Sequence, residues 1–594
     1  MSNENVDMNG DISSSPLYSK DLAPVPMEKR TWNVWSLAAL WVGMAVCIPT
    51  YMLASNIILQ GISWLDALLI IGLANIIITI PMVLSGHAGV KYGIPFPVLG
   101  RSSFGHNGIH IPAIIRGLIA AVWFGIQTWI GGISIYSLWC VFTGQAIITS
   151  GFTEGQFVGF FIFWLINVYF IWKGTESIKW LEIFAAPILI IMGILLIVWG
   201  SSKVGGFEKV LDQGIQLENP SLVLTTNQEK PGFLELHIQP IKGVDGAVKA
   251  REYQTQIEYF EVFEAKNEQT QIVNTSDWIS LEEDLTKVLI NNIEGADNEM
   301  IKAKNMSLYV QLRSHNGEEI VYSSKKQVLF TPASNEGDTG SIWPFLVMLT
   351  AMVGFWATMS ISIADITRYS KTQKEQVAGQ FIGLPGTMIL YSFVGIFVTC
   401  ASVAAFDDVL IRADAPWDPA ALLAKFKEPA VVIISQIFLI IATLSTNIAA
   451  NVIAPANAFA NAMPRKISFR TGGIITAVIG ILICPWWIIN HIVPFLLFVS
   501  SLLGPVVAIL ICDYFIIRKT ELKVVELFKT NGEYSFGGSG FNKRAMIAFL
   551  AGVFAAGIGK FVPSLSFLYD LSWFSGFIVS FFLYWVMMKG KTQQ

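Results

Sequence analysis

The sequence predicts an all-α polytopic membrane protein of about 12 transmembrane helices, each roughly 20 residues long, with a soluble β-rich domain inserted near its middle. Composition is the first observation behind this. Of 594 residues, 53% are hydrophobic and 14% are charged, a balance foreign to water-soluble domains of this size. The second is a pair of interrupted spans. Residues 35–58 (WSLAALWVGMAVCIPTYMLASNII) break at Gly43 and Pro49, and residues 341–369 (SIWPFLVMLTAMVGFWATMSISIADITRY) break halfway before closing on Asp365. Trp41, Met44 and Ile48 recur at the same spacing as Trp356, Met359 and Ile363. Interrupted spans at corresponding places in two halves point to a binding site at the membrane midplane of a secondary transporter. The third is the stretch 201–340, which differs in charge and periodicity from everything around it.

Residues 1–30 are polar and contain Pro16, Pro24 and Pro26. They read as a disordered cytoplasmic tail with no cleavable signal peptide. Residues 31–200 carry five spans, near 33–58, 64–86, 112–143, 156–173 and 179–200. Residues 341–594 carry seven more, near 341–366, 379–405, 429–455, 472–489, 491–514, 544–562 and 568–588, and the C-terminus. Asn490 and His491 leave only a minimal turn between the ninth and tenth spans. With twelve spans, Lys29 and Arg30, Lys91, Arg101 and Arg116, Lys173 and Lys179, Arg368 and Lys371, Arg465 and Lys466, Arg518 and Lys519, and Lys589 all fall on one side. That side is cytoplasmic by the rule that short basic loops stay inside. Both termini are then cytoplasmic, in a multi-pass protein of the inner or plasma membrane. The Gly- and Pro-rich stretch GIPFPVLGRSSFG (93–105) reads as a fixed cytoplasmic turn, with Arg101 as a topology charge. The five cysteines have neither metal-ligand nor disulfide spacing and, Cys47 aside, read as small packed hydrophobes.

Residues 201–340 hold 22 acidic and 13 basic residues, a net of −9; the remainder, 26 basic against 21 acidic, is +5. Alternation in 233–240, 254–265, 307–314 and 319–330, with Thr, Val, Tyr and Phe, predicts strands. Residues 279–291 predict a helix. The length suffices for one small domain. Its place between the fifth and sixth spans puts it outside the cell. Asn274 and Asn305 open glycosylation triplets, a pattern common by chance.

Several residues could touch a solute. Trp123 and Gln127 lie four apart, on one face of the third span. An indole stacks on a flat ring, and an amide offers one donor group and one acceptor. Gly125, Gly131 and Gly132 let other helices approach closely. Trp356 sits directly before the break in the sixth span, where it would offer a second stacking face. In the eighth span, Ala442, Ser445 and Thr446 share one face, and Asn447 and Asn451 an adjacent one. Polar side chains inside a span line a cavity or bond between helices. A Ser–Thr pair beside carbonyls freed by a broken helix is the donor set of a Na+ site; bonding between helices is the competing reading. No phosphate-loop motif, nucleophile elbow or metal-spaced His set appears, so the chain does not read as a pump driven by ATP or as an enzyme.

On ALWVGMAVCIPTYMLA (39–54), GIPFPVLGRSSFG (93–105), WFGIQTW (123–129), FWATMSISIADITRY (355–369), STNIAAN (445–451) and GPVVAILICDYF (504–515), the chain resembles the nucleobase–cation symport-1 family, which includes hydantoin, allantoin, uracil and cytosine permeases. The resemblance implies a LeuT-type inverted repeat of five plus five helices, with two further helices. It implies stacking by Trp123 and Trp356, substrate hydrogen bonds from Gln127 and Asn451, and Na+ ligation by the carbonyls of Gly43, Val46 and Ala442 and the hydroxyls of Ser445 and Thr446. Two positions depart from the pattern. Cys47 stands where relatives often carry Gln or Asn, and Ala364 precedes Asp365 where Pro is usual. The insertion has no counterpart in the pattern.

The expectation is a transporter that imports a nucleobase, hydantoin, allantoin or related flat heterocycle by Na+-coupled or H+-coupled symport. Its partners are that solute and the lipid bilayer, with no nucleic acid and no organic cofactor, and with nothing to name a partner for the insertion. A rival reading is a receptor that uses the external domain to capture ligand. Another is an H+-driven permease with Asp365 as proton carrier, against which stands a structural ion pair with Arg368.

Overall fold

The computed structural model describes residues 12–59, 62–148, 152–173, 175–216, 222–227, 233–239, 253–261, 271–281, 287–290, 306–316, 319–328, 342–406, 408–411, 414, 419–426 and 428–590. Six of the described helices are long and apolar enough to cross a membrane, or eight when each sharply bent pair counts as one span. The first helix, Val34–Ala45, starts from a capping box in which Asn33 and Ser36 exchange hydrogen bonds. The capping satisfies backbone donors that the first helical turn leaves without a partner. The chain breaks at Val46 and Cys47 and resumes as Ile48–Leu59, bent by 62°. The break therefore lies between the two expected residues. Pro49 falls in the first turn of the second half, where its missing N–H removes nothing from the ladder.

The sixth span is cut twice, into Trp343–Phe355, Ala357–Ser362 and Ala364–Thr367, with Trp356 and Ile363 at the joints. The eighth is cut at Val452, between Pro429–Asn451 and Ile453–Ala462. The ninth, Phe469–Leu482, stops before Cys484, which has φ of 55° and is exposed; the packed-hydrophobe expectation holds for Cys140, Cys400 and Cys512 but not there. The tenth, Ile492–Ile511, ends in a π turn at Cys512–Ile517.

The helices pack as two groups. Val34–Ala45, Ile48–Leu59 and Trp64–Tyr92 lie against Gln373–Ala405, and the sixth span lies against Trp64–Tyr92. The long helix His110–Thr143 packs against Glu154–Lys173, Pro429–Asn451, Ile453–Ala462 and Phe469–Leu482. Gly125 faces the backbone of Gly480, and Gly132 the backbone of Phe160. Neither position has room for a Cβ, which is how the third helix comes so close to its neighbours.

Nine strands run antiparallel among the described residues: β1 (Leu222–Thr226), β2 (Leu234–Ile238), β3 (Tyr253–Glu261), β4 (Gln271–Thr275), β5 (Ile279–Leu281), β6 (Lys287–Ile290), β7 (Met306–Asn316), β8 (Glu319–Tyr322) and β9 (Lys326–Val328). One sheet has the order β1-β2-β6; the other has β4-β3-β7-β8, with β5 beside β3 and β9 beside β7. The alternation read at 233–240, 254–265, 307–314 and 319–330 corresponds to β2, β3, β7 and β8 with β9. The helix expected at 279–291 is overturned at both ends, where Ile279–Leu281 pairs with β3 and Lys287–Ile290 with β2; residues 282–286 and 291 lie outside the described residues. Pairing outweighed local spacing, since a paired strand satisfies its backbone and a lone short helix is marginal. Helix Phe207–Gln216 precedes the strands, so the strand region begins later than the boundary at 201.

The basic ends of the helices hold the largest departures from expectation. The tail is packed from residue 12 onward, and residues 1–11 lie outside the described residues. Leu22 and Val25 are buried, and Arg30 donates to the carbonyls of Val25 (2.9 Å) and Val90. Trp32 bonds the Tyr369 carbonyl. Arg101 is a buried clamp that donates to the carbonyls of Leu527 (3.0 Å) and Leu17 (3.1 Å) and to Asn461 (2.7 Å). It is not a solvated topology charge. Two carbonyls from separate connections and a side chain of helix Ile453–Ala462 formed a pocket that the sequence could not display. Beside it, buried Asp513 accepts from Arg518 (2.8 Å), Tyr584 (2.8 Å), Ser102 (3.2 Å) and Ser103 (3.1 Å). Asp513→Ala removes the acceptor shared by Arg518, Tyr584, Ser102 and Ser103, leaving Arg518 with Glu533 at 3.5 Å as its remaining carboxylate. The expected loss is about 1–3 kcal/mol, read as a lowered thermal midpoint in detergent; an unchanged midpoint contradicts this account.

Candidate functional site

The site assembles where the two broken helices meet the long third helix. Trp123 and Gln127 are both buried, as their four-residue spacing requires for side chains on one inward face. Trp123 meets Phe355 edge-on at 5.3 Å and Phe495 at 5.8 Å. Trp356, freed from helical direction by its place at the joint, meets Trp41 edge-on at 5.2 Å and Phe355 at 5.0 Å. Its indole N–H points at the Met388 sulfur, 3.4 Å away. Phe355 thus touches both tryptophans. The sequence singled out the two outer rings of this row and missed the middle one, since an aromatic beside a break carries no separate signal.

Gln127 reaches the Cys47 thiol with its side-chain amide, and its amide oxygen is buried without a hydrogen-bond partner. Cys47 also contacts the Thr50 hydroxyl at 3.3 Å. Asn451 donates to Asn447 (3.1 Å), and Asn447 in turn donates to the Phe124 carbonyl, Thr128 and Asn167. Of the two eighth-span amides, Asn447 binds helices together while Asn451 sits at the site's edge, 7% exposed. The structure therefore brings Trp123, Gln127, Trp356 and Cys47 around one closed centre.

A second cluster lies at the first break. Val46 bonds back to Val42, and Cys47 turns to Ala45, so the Gly43 carbonyl lacks the usual donor four residues on. The Thr446 hydroxyl supplies one at 3.0 Å. Val46 and Ala442 pack together in a small apolar group with Tyr391 and Phe438, and Ser445 is buried beside them in sequence. The donor set consists of neutral oxygens, which fits a hard monovalent cation and no soft metal.

Asp365 makes no ion pair with Arg368 among the described residues. One of its oxygens accepts the Phe96 N–H at 3.0 Å, and the buried Asn457 side chain lies against the same carboxyl. The Arg368 guanidinium donates instead to the Asp21 carbonyl and the Tyr369 hydroxyl. Arg116, read as a loop charge, is buried inside the protein. It donates to the Thr358 carbonyl (2.8 Å), Ser362 (3.2 Å) and the Ala450 carbonyl (3.4 Å). It therefore braces the third helix against the broken sixth and against the end of the eighth. Its place seven residues before Trp123, two helical turns inside an apolar run, was the available signal.

A sequence model for permeases for cytosine/purines, uracil, thiamine and allantoin matches residues 24–226 and 322–576. The two segments leave 227–321 between them. The chain is 32% identical to an allantoin permease of Bacillus subtilis, with 97% of this chain and 94% of the relative covered. It is 29% identical to a purine-uracil permease of Arabidopsis thaliana (96% and 78%) and 24% identical to a hydantoin permease of Microbacterium maritypicum (88% and 80%). Its fold is similar to that of a nucleobase-cation-symport-1 transporter solved closed with bromovinylhydantoin bound, at a TM-score of 0.64 and 21% identity over 96% of this chain and 95% of the other.

Removing the Arg116 brace should separate stability from solute contact. Arg116→Met removes the guanidinium bonds to the Thr358 and Ala450 carbonyls, the former keeping the Ser362 hydroxyl, at a cost of about 1–3 kcal/mol in all. The expected result is a lower thermal midpoint in detergent with or without solute; a midpoint equal to the parent's rules the brace out.

Proposed function

The chain belongs to the family of permeases for cytosine/purines, uracil, thiamine and allantoin, and from that premise we propose that it imports a flat, amide-bearing heterocycle by ion-coupled symport. The proposed class is allantoin, a hydantoin or a nucleobase. The relatives are permeases, not enzymes, and the protein is a multi-pass membrane transporter. In the finer reading, about 12 spans of roughly 20 residues cross the bilayer as a five-plus-five inverted repeat with two further helices. Both termini face the cytoplasm, and the strand region lies outside as an inserted domain.

One observation carries the substrate reading: the buried Gln127 amide oxygen has no partner and lies on the same helix face as Trp123, across Phe355 from Trp356. A buried acceptor left unpaired is costly, and a solute N–H would relieve it. Trp123 and Trp356 then provide ring faces, Asn451 and Cys47 hydrogen-bond the solute's remaining polar edge, and Phe355 swings out as the ring enters. The Na+ ligands are the carbonyls of Gly43, Val46 and Ala442 and the hydroxyls of Ser445 and Thr446. The Thr446–Gly43 bond supports this, because it joins one helix from each packing group. An ion held at that junction favours the state in which both sides meet, and ion and solute then assist each other's binding reciprocally. Proton coupling through Asp365 is the second reading, supported by the burial of its carboxyl and by the functional weight of ionisable groups inside membranes.

A binding screen of hydantoins, allantoin, purines and pyrimidines, with and without Na+, tests the whole reading, and uptake into proteoliposomes separates a transporter from a receptor. Trp123→Ala and Trp356→Ala should each weaken binding about tenfold or more, since a base–aromatic stack is worth ~1–3 kcal/mol; parental affinity in both removes the stacking role. Gln127→Leu should lose binding to solutes that present an N–H while Cys47→Gln changes the order of preference. Parental rates for both on the same panel would misplace the site. Thr446→Ala should lower Na+ affinity and, measured in Na+, solute affinity as well. Solute binding that ignores Na+ in the parent transfers the coupling to protons, with Asp365→Asn as the variant that then abolishes accumulation.

A further inference from the structure

The strand region has a core of its own, and that core includes two residues from elsewhere. Leu410 and Ile411, from the connection between Gln373–Ala405 and Pro429–Asn451, are buried with Leu224, Leu236, Ile257 and Val310. Three residues further on, Asp414 accepts the Ser324 hydroxyl at 2.6 Å, and Ser324 lies between β8 and β9. Lys326 and Lys425 are the cations facing that carboxylate. Lys425 also pairs with Asp408 and lies over the Phe406 ring, which ties the two ends of the connection together.

The same connection carries the short helix Pro419–Ala424. Leu422 and Leu423 are buried, and with Pro419 they form one wall of a cavity. Its other walls include Val46, Tyr51, Tyr391, Ser435 and Ala442. Two of these, Val46 and Ala442, are among the proposed ion ligands. The short helix rests on Ile48–Leu59 from one packing group and on His110–Thr143 and Pro429–Asn451 from the other. It therefore covers the line along which the two groups would part.

We propose that the sheets position Pro419–Ala424 as the cover of this cavity, gripping the connection through Leu410, Ile411 and Asp414, so that the strand region sets how readily the ion side of the transporter opens. The meaning of the cavity rests on the ion reading above; the grip itself does not. A packed core moves as a stiff body, so lifting the cover requires either moving the sheets or releasing the connection from them. The open state is disfavoured by whatever that release costs. Leu410, Ile411, Asp414 and Ser324 are positioning residues that touch neither ion nor solute. The β2–β7 segment that supplies most of the grip falls largely in the unmatched 227–321, so this control is a property of this chain beyond the permease core.

Chemical access to the cavity tests this without substrate or ion, so its failure is separable from failure of the transport reading. In a Cys484→Ser background, Ser435→Cys places a thiol in the cavity wall, and a charged, membrane-impermeant methanethiosulfonate measures its exposure. Adding Ser324→Ala with Asp414→Ala should raise the modification rate about tenfold, the scale of a lost hydrogen bond to a charged group. Asp414→Asn keeps an oxygen that accepts the Ser324 hydroxyl and should return the rate to near the parent's. A double variant that keeps the parental thermal midpoint and the parental rate overturns the proposal. A second measurement avoids loosening the fold. Ser324→Cys with Asp414→Cys, oxidised, should slow hydrogen exchange across 419–426 relative to the same protein reduced, and equal exchange overturns the proposal.

Discussion

A carbonyl without a partner in its own helix organises the centre of this molecule. Backbone groups inside a bilayer must be satisfied by protein, because lipid offers no hydrogen bonds. Where the first helix breaks, the amides of Val46 and Cys47 turn to Val42 and Ala45, and the Gly43 carbonyl is left over. Thr446 of the eighth helix completes it. One bond thus satisfies the backbone and joins the two packing groups. A continuous helix would satisfy the Gly43 carbonyl through the Cys47 amide and lose the link to the eighth helix.

Charge is handled in the same way. Arg101, Arg116 and Asp513 are almost wholly buried, where an ion is tolerated only with close partners. Each answers to several elements at once: Arg101 to the N-terminal tail, the turn at Leu527 and helix Ile453–Ala462, Arg116 to the sixth and eighth spans, Asp513 to the second connection, the end of the π turn and the last helix. Arg101 and Arg116 hold segments of the sixth and eighth spans, and backbone direction changes at the joints Val46, Trp356 and Val452. The aromatic row of Trp123, Phe355, Trp356 and Trp41 lies at those joints, with edge contacts that hold its rings without fusing the helices.

The strands belong to the same mechanical account. Their core closes over Leu410 and Ile411, so the segment is not a passenger on a loop. It shares buried surface with a connection that runs on to the cavity beside Val46 and Ala442. Deleting it would expose those two side chains, which differs from the inert insertion that loop-entropy reasoning alone suggests.

Composition and apolar run length determined that this is a multi-pass helical membrane protein, because lipid imposes span length on any such chain, and the paired interruptions pointed to a site at the two breaks. Period-2 alternation determined most of the strands. Helical spacing put Trp123 and Gln127 on one face, and resemblance to a known family supplied roles for Asn451, Ser445 and Thr446. The tertiary structure decided what depends on partners distant in sequence. It turned residues 12–30 of a tail expected to be disordered into packed structure, made Arg101 and Arg116 into clamps, moved Asp365 from an ion pair to the Phe96 amide, converted residues 279–281 and 287–290 from helix to strand, and set Phe355 between the tryptophans. A single sequence states which groups need a partner; only the packed chain states which partner each one finds, because that depends on loop carbonyls, register and ring contacts hundreds of residues apart.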